Sequence, residues 1–157
     1  MTATLVQSDY EIERGKPMPD KNHAIIQGRL VSRLDRLYEN LYTILPEINL
    51  DLPTRERVPD LAIYPPLDFD PDNNEVRMSE PPLGAIEILS EMQNLSDLML
   101  KRAEYFNAGV QSYWLVVPAL RTVYVFYAPD DYDVFSRKDK LVDKKLGIEL
   151  DLGEIFK

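Results

Sequence analysis

The sequence predicts an α/β fold, a central mixed β-sheet flanked by helices. Three observations carry that expectation. Apolar residues recur every three or four positions between Lys21 and Leu41, the stripe of a helix with one buried face. Short apolar runs at Val58–Tyr64, Leu83–Leu89, Tyr113–Val117 and Thr122–Tyr127 have the length and character of strands. A second helical stretch, Ser96–Asn107, stands between two of these runs, as a right-handed parallel crossover requires.

Residues 1–20 read as a loosely ordered lead-in, with Tyr10–Glu13 as a short strand closing at Gly15. In the helix Lys21–Leu41 the stripe is Ile26, Leu30, Leu34, Leu37 and Leu41, and Asp20 or Asn22 caps its start. Tyr42–Leu50 is strand-like, interrupted by Pro46. Val58–Tyr64 tolerates Pro59 because that residue falls near its start. Residues 65–82, rich in proline and acids, form a loop longer than ordinary connections, the expected rim of a site or an interaction surface. Leu83–Leu89 is the next strand, and the helix Ser96–Asn107 stops at Ala108–Gly109, where glycine supplies a left-handed cap. Tyr113–Val117 and Thr122–Tyr127 are joined by a short turn, Pro118–Arg121. Tyr132–Ser136 adds an edge strand, and Ile148–Phe156 forms a short strand or helical turn. Strands sandwiched by two main helices make one layered domain over residues 1–157.

A chain of 157 residues buries roughly 70% of its unfolded surface in one domain. No apolar run approaches the roughly 20 residues of a membrane span, and Met1–Arg14 lacks the basic start and apolar segment of a signal peptide, so a cytoplasmic location is expected. The absence of cysteine excludes disulfides, thiolate metal sites and a cysteine nucleophile. A single histidine, His23, argues against a histidine-based zinc site. The net charge of -9 argues against tight non-specific binding to nucleic acid, which rests on neutralising phosphates. Some of that acidity can belong to a metal site that becomes less negative when loaded. Much of it lies elsewhere, in Asp68–Asp72, Asp130–Asp131 and the C-terminal tail.

Asp60 and Glu87 are the residues that ask for an explanation. Each is embedded in an apolar run, where a carboxylate is costly unless its charge is compensated. A divalent metal, Mg²⁺ or Mn²⁺, is the usual compensator, and the backbone carbonyl of Ile88 offers a third oxygen. Asp97, Lys101 and Tyr105 follow at intervals of four, and a lysine there can orient a water or meet charge developing on a phosphate. Hydrolysis of a phosphate ester is the chemistry such a set serves. Plainer alternatives stand beside each residue. Asp60 could pair with Arg57 or cap a turn, and Glu87 could face solvent from an edge strand. Asp97 and Lys101 could form a solvated ion pair, Tyr105 could be packing, and His23 could cap the first helix or lie on its surface.

Taken in order, Pro59-Asp60, Glu87-Ile88-Leu89-Ser90, the Asp97/Lys101/Tyr105 series, Ala108-Gly109-Val110 and Tyr113-Trp114-Leu115-Val116 form a pattern. With the opening Tyr10–Gly15, Pro17-Met18-Pro19 and His23, it resembles the Uma-two family over roughly residues 10–130. These are restriction-endonuclease-like proteins of the PD-(D/E)XK nuclease superfamily. The resemblance implies a restriction-endonuclease-like fold with a mainly four-stranded sheet, and an Mg²⁺-dependent endonuclease hydrolysing DNA phosphodiester bonds. It implies Asp60 as first metal ligand and Glu87 as second, with His23 and Gln27 on the first helix facing the site. The superfamily's lysine normally stands two residues after the acid, where this chain has Leu89. The resemblance implies its relocation to Lys101, whose long stem can cross apolar surface. Val117-Pro118 also departs from the Asp-Pro of the family. Resemblance implies fold more firmly than activity, so two other functions stand beside the nuclease. One is a catalytically degenerate nuclease fold serving as a protein-interaction or regulatory module, favoured by the acidic charge and the 65–82 loop. The other is a metal hydrolase of nucleotides or small phosphate esters. Exposed aromatics and the terminal strand point to a homodimer.

Overall fold

The computed structural model describes Asp9 and residues 18–157; the expected strand at Tyr10–Glu13 lies outside the described residues. Asp20 opens helix α1 (Lys21–Tyr38) by accepting the His23 amide at 2.8 Å, so it is Asp20 rather than Asn22 that caps. The buried stripe comprises His23, Ile26, Leu30 and Leu34. The helix ends three residues short of Leu41, and both Leu37 and Leu41 are exposed. The stripe instead continues in steps of four to Tyr38 and Tyr42. The Tyr38 hydroxyl accepts the Glu149 amide at 2.6 Å, and the Tyr42 hydroxyl donates to the Leu146 carbonyl. Tyrosine suits this rim because its ring is partly buried against the core while its hydroxyl finds a partner.

Among the described residues the central sheet has six strands rather than four, in the order β1 (Thr43–Pro46), β4 (Leu61–Tyr64), β6 (Gly84–Ile88), β7 (Ser112–Val117), β8 (Thr122–Ala128), β9 (Asp131–Ser136). Among the described strands of this sheet only β6 and β7 run parallel, and helix α2 (Leu95–Asn107) makes the connection between them. Asn94 caps α2, and Gly109 takes φ +102° where the chain leaves it. Side chains alternate across the sheet. Leu61, Ile63, Ile86, Ile88, Trp114 and Val116 pack with the α1 stripe, whereas Ala62, Ala85, Tyr113 and Leu115 pack with Leu98 and Tyr105 of α2. Among the described residues the sheet is therefore covered by one helix on each face. Among the described residues no helix is long and apolar enough to cross a membrane.

Smaller elements surround this core. The strand-like stretch 42–50 divides at Pro46–Glu47 into β1 and β2 (Asn49–Asp51), with Glu47 at φ +50°. β2 lies between β3 (Glu56–Arg57) and β5 (Arg77–Met78), the one strand within the expected loop 65–82. The C-terminal segment is both strand and turn: β11 (Ile148–Asp151) runs into a short 3₁₀ turn, Leu152–Glu154. Its hairpin partner β10 (Lys140–Asp143) was not apparent from the sequence.

Asp143 fastens that hairpin to the sheet. It is fully buried and accepts from Trp114 Nε1 at 2.9 Å, from Ser112 Oγ at 3.1 Å, and from the amides of Lys145 and Leu146 at 3.0 Å each. Truncating it strands several buried donors, each costing about 1–3 kcal/mol. Asp143→Ala is therefore expected to lower unfolding free energy by about 3 kcal/mol or more, measured by urea denaturation.

Candidate metal centre

Asp60 sits immediately before β4 rather than inside the strand, and is only 1% exposed. Its Oδ2 accepts the Ile88 amide at 2.7 Å and lies 3.1 Å from His23 Nε2. Its carbonyl accepts the Glu47 amide at 3.1 Å and Gln27 Nε2 at 3.4 Å. The residue therefore joins α1, the turn after β1 and the end of β6. In an extended strand a residue's amide and carbonyl leave by the same side, so the Ile88 carbonyl is also directed toward the Asp60 side of β6.

Glu87, one residue before Ile88, points to the opposite face and is also 1% exposed. It stands on an interior strand of the sheet, not at an edge. The Tyr105 hydroxyl donates to Glu87 Oε1 at 2.8 Å, and Lys101 Nζ lies 3.8 Å from the same oxygen. Tyr105 and Tyr113 stack with ring centroids 5.4 Å apart. Burial, then the charge of Glu87, pushes the Tyr105 hydroxyl well above its ordinary value, so it remains a donor. Beside it Arg57 and Glu104 make a bidentate pair at 2.6 and 2.7 Å. That pairing raises Arg57 and holds the Glu104 carboxyl below its ordinary value.

The structure sets His23 and Gln27 beside Asp60, sets Lys101 and Tyr105 beside Glu87, and leaves Asp97 out of both groups. Asp97 is exposed in the first turn of α2, where a negative charge suits the helix dipole, and Lys101 turns to Glu87 instead of pairing with it. Arg57 pairs with Glu104, not Asp60. His23 is neither a cap nor a surface residue: it is buried, and its Nδ1 has no hydrogen-bond partner among the described residues. Two long-range ties had no sequence signal. The Arg57–Glu104 pair bridges 47 positions. Asp20, besides capping α1, accepts the Glu91 amide at 2.9 Å and so ties α1 to the loop after β6. Burial opposes the charge of Asp20, but the Glu91 and His23 amides outweigh it and lower its carboxyl.

Among the described residues no three His, Asp or Glu side chains close around one point. The oxygens that could hold a divalent ion are those of Asp60, Glu87 and the Ile88 carbonyl. Mg²⁺ commonly takes one or two carboxylates, with water and substrate phosphate completing its shell, and in chemical type these oxygens suit it.

The lowered Glu104 carboxyl has a pH signature. Its ionised form stabilises the fold above its ordinary value of 4.5, and that contribution is lost as pH falls through the lower folded value. Glu104→Gln is expected to be about 1 kcal/mol less stable than the parent at neutral pH, with the gap closing below about pH 4; thermal melts across pH measure it.

A family model described as "Putative restriction endonuclease", Uma2, matches residues 7–152. No curated protein matches the chain. Among solved structures, "a putative nuclease belonging to DUF820 from Anabaena variabilis ATCC 29413" superposes with a TM-score of 0.79 at 21% identity, covering 89% of this chain and 83% of that one. This likeness shows a shared fold. A DrdV–DNA complex aligns more weakly, with a TM-score of 0.47 at 13% identity over 81% of this chain and 10% of that one. With nearly its whole length matched, the chain belongs to the Uma2 family of restriction-endonuclease-like proteins.

Proposed function

We propose that the chain is a divalent-metal-dependent endonuclease of the PD-(D/E)XK type, acting on DNA phosphodiester bonds. The observation that supports this best is a pair of carboxylates, Asp60 and Glu87, each 1% exposed and linked through Ile88, with a lysine turned toward one of them. In this reading Asp60, Glu87 and the Ile88 carbonyl hold Mg²⁺ or Mn²⁺. The ion, when bound, supplies Lewis acidity and a water of lowered pKa. His23 and Gln27 hold Asp60 from α1, and the Tyr105 hydroxyl fixes the orientation of Glu87. Lys101, its side chain 12% exposed, contributes a positive charge where the transferring phosphate gathers negative charge.

The net charge of -9 favours a second reading, a nuclease fold that binds a protein partner and does not cleave. Calorimetric titration of Mn²⁺ separates the two. The nuclease reading expects saturable binding, lost in Asp60→Ala and in Glu87→Ala. It expects Lys101→Ala to retain Mn²⁺ while duplex cleavage falls roughly a hundredfold. Cleavage of a dinucleotide but not of a long duplex would point to small phosphate esters as substrates. If Mn²⁺ fails to bind with or without duplex DNA, the nuclease reading is lost and the interaction module takes its place. Tyr105→Phe is expected to weaken Mn²⁺ roughly tenfold by freeing Glu87 to turn, read in the same titration.

A further inference from the structure

The central sheet ends at β9, and among the described residues no backbone pairs with its far side. Such an edge presents unpaired amides and carbonyls to any other strand, and proteins usually blunt it with lysine, proline or a covering element. Asp131–Ser136 contains neither lysine nor proline, and its Tyr132 and Val134 are about half exposed. Apart from Asp133, whose carboxylate accepts from the Tyr127 hydroxyl at 3.0 Å, its charges lie at the two ends and are opposite in sign. Asp130 and Asp131 stand at the start, Arg137 and Lys138 just past the finish, and all four are exposed. Among the described residues none of the four makes an ion pair within its own chain.

We propose that β9 pairs antiparallel with β9 of a second copy about a two-fold axis at Val134, giving a homodimer whose sheet runs through both molecules. In that register Val134 opposes its own mate, Tyr132 opposes Ser136, Asp131 opposes Arg137 and Asp130 opposes Lys138. Directly opposed residues share a face, so the exposed Tyr132 and Val134 side chains of both copies adjoin on one side of the joint sheet. Each end is closed by opposite charges, and both ends are identical by symmetry. Each neighbouring register that keeps the faces aligned opposes like charges. A shift one way sets Asp133 against itself, and a shift the other way sets Asp131 against Asp139. Because the whole chain carries -9, association must rest on these local pairs, and salt will weaken their share of it.

The test is sedimentation velocity of the full chain over a concentration series, with circular dichroism confirming that each variant is folded. The parent is expected to reach a dimer. Asp131→Arg alone and Arg137→Asp alone are each expected to lose it, since either change sets like charges at both ends of the joint. Combining the two in one chain exchanges the signs and is expected to restore the dimer. Val134→Lys, an exposed position, is expected to abolish it by placing two ammonium groups at the axis. A parent that stays monomeric overturns the proposal. So does a dimer indifferent to these changes, which would use another face, or a double variant that fails to recover. None of these readings involves metal or DNA, so the outcome is separate from the nuclease reading.

Discussion

The hydrogen bond from the Ile88 amide to the Asp60 carboxylate, 2.7 Å long and buried, joins the elements that define the site. A carboxylate removed from water must be compensated, and this one is compensated partly by the backbone of a neighbouring strand. Its position is thereby fixed relative to β6. His23 reaches the same oxygen from α1, and the Asp60 carbonyl takes Gln27 and the Glu47 amide. A single residue thus sets how the first helix, the entry to β4 and the exit of β6 meet. Asp20 repeats the device at the start of α1, spanning to Glu91.

Alternation along β6 divides the site between the two faces of the sheet. Ile86 and Ile88 belong to the α1 side, so Glu87 must face α2. That face is otherwise apolar, and the helix brings the compensation in Lys101 and Tyr105, which lie one turn apart. The parallel pairing of β6 with β7 requires a crossover of some length, and α2 is that crossover. The same topological need that closes the sheet therefore delivers the cation and the hydroxyl donor to Glu87. Arg57 and Glu104 add a second charged pair outside this one, where desolvation is only partial.

Much of this was legible in the chain. Charges inside short apolar runs marked Asp60 and Glu87, and spacing by four put Lys101 and Tyr105 on one helix face. The crossover followed from a helix between two strands. Other features were hidden for definite reasons. The α1 stripe ends in Tyr38 and Tyr42, and the leucines at 37 and 41 mimic its continuation one position off. His23 is buried by its partner across 37 positions of sequence, which no local pattern reports. β10 alternates exposed and buried residues over only four positions, too short a run to mark a strand. Asp97 shares the spacing of Lys101 and Tyr105, yet spacing alone places it a turn too near the solvent-exposed start of α2.

Trp114 is the only tryptophan of the chain, fully buried on β7, with its indole nitrogen bonded to the Asp143 carboxylate. Its surroundings include Leu141, Leu146 and Ile148 of the C-terminal hairpin region as well as the α1 stripe. The ring therefore senses whether that hairpin is docked on the sheet. Intrinsic fluorescence from a single indole becomes a direct optical record of the docking step, uncluttered by any other emitter of its kind. Loosening of the hairpin would let water reach the ring and move its emission to longer wavelength, even with the rest of the sheet intact.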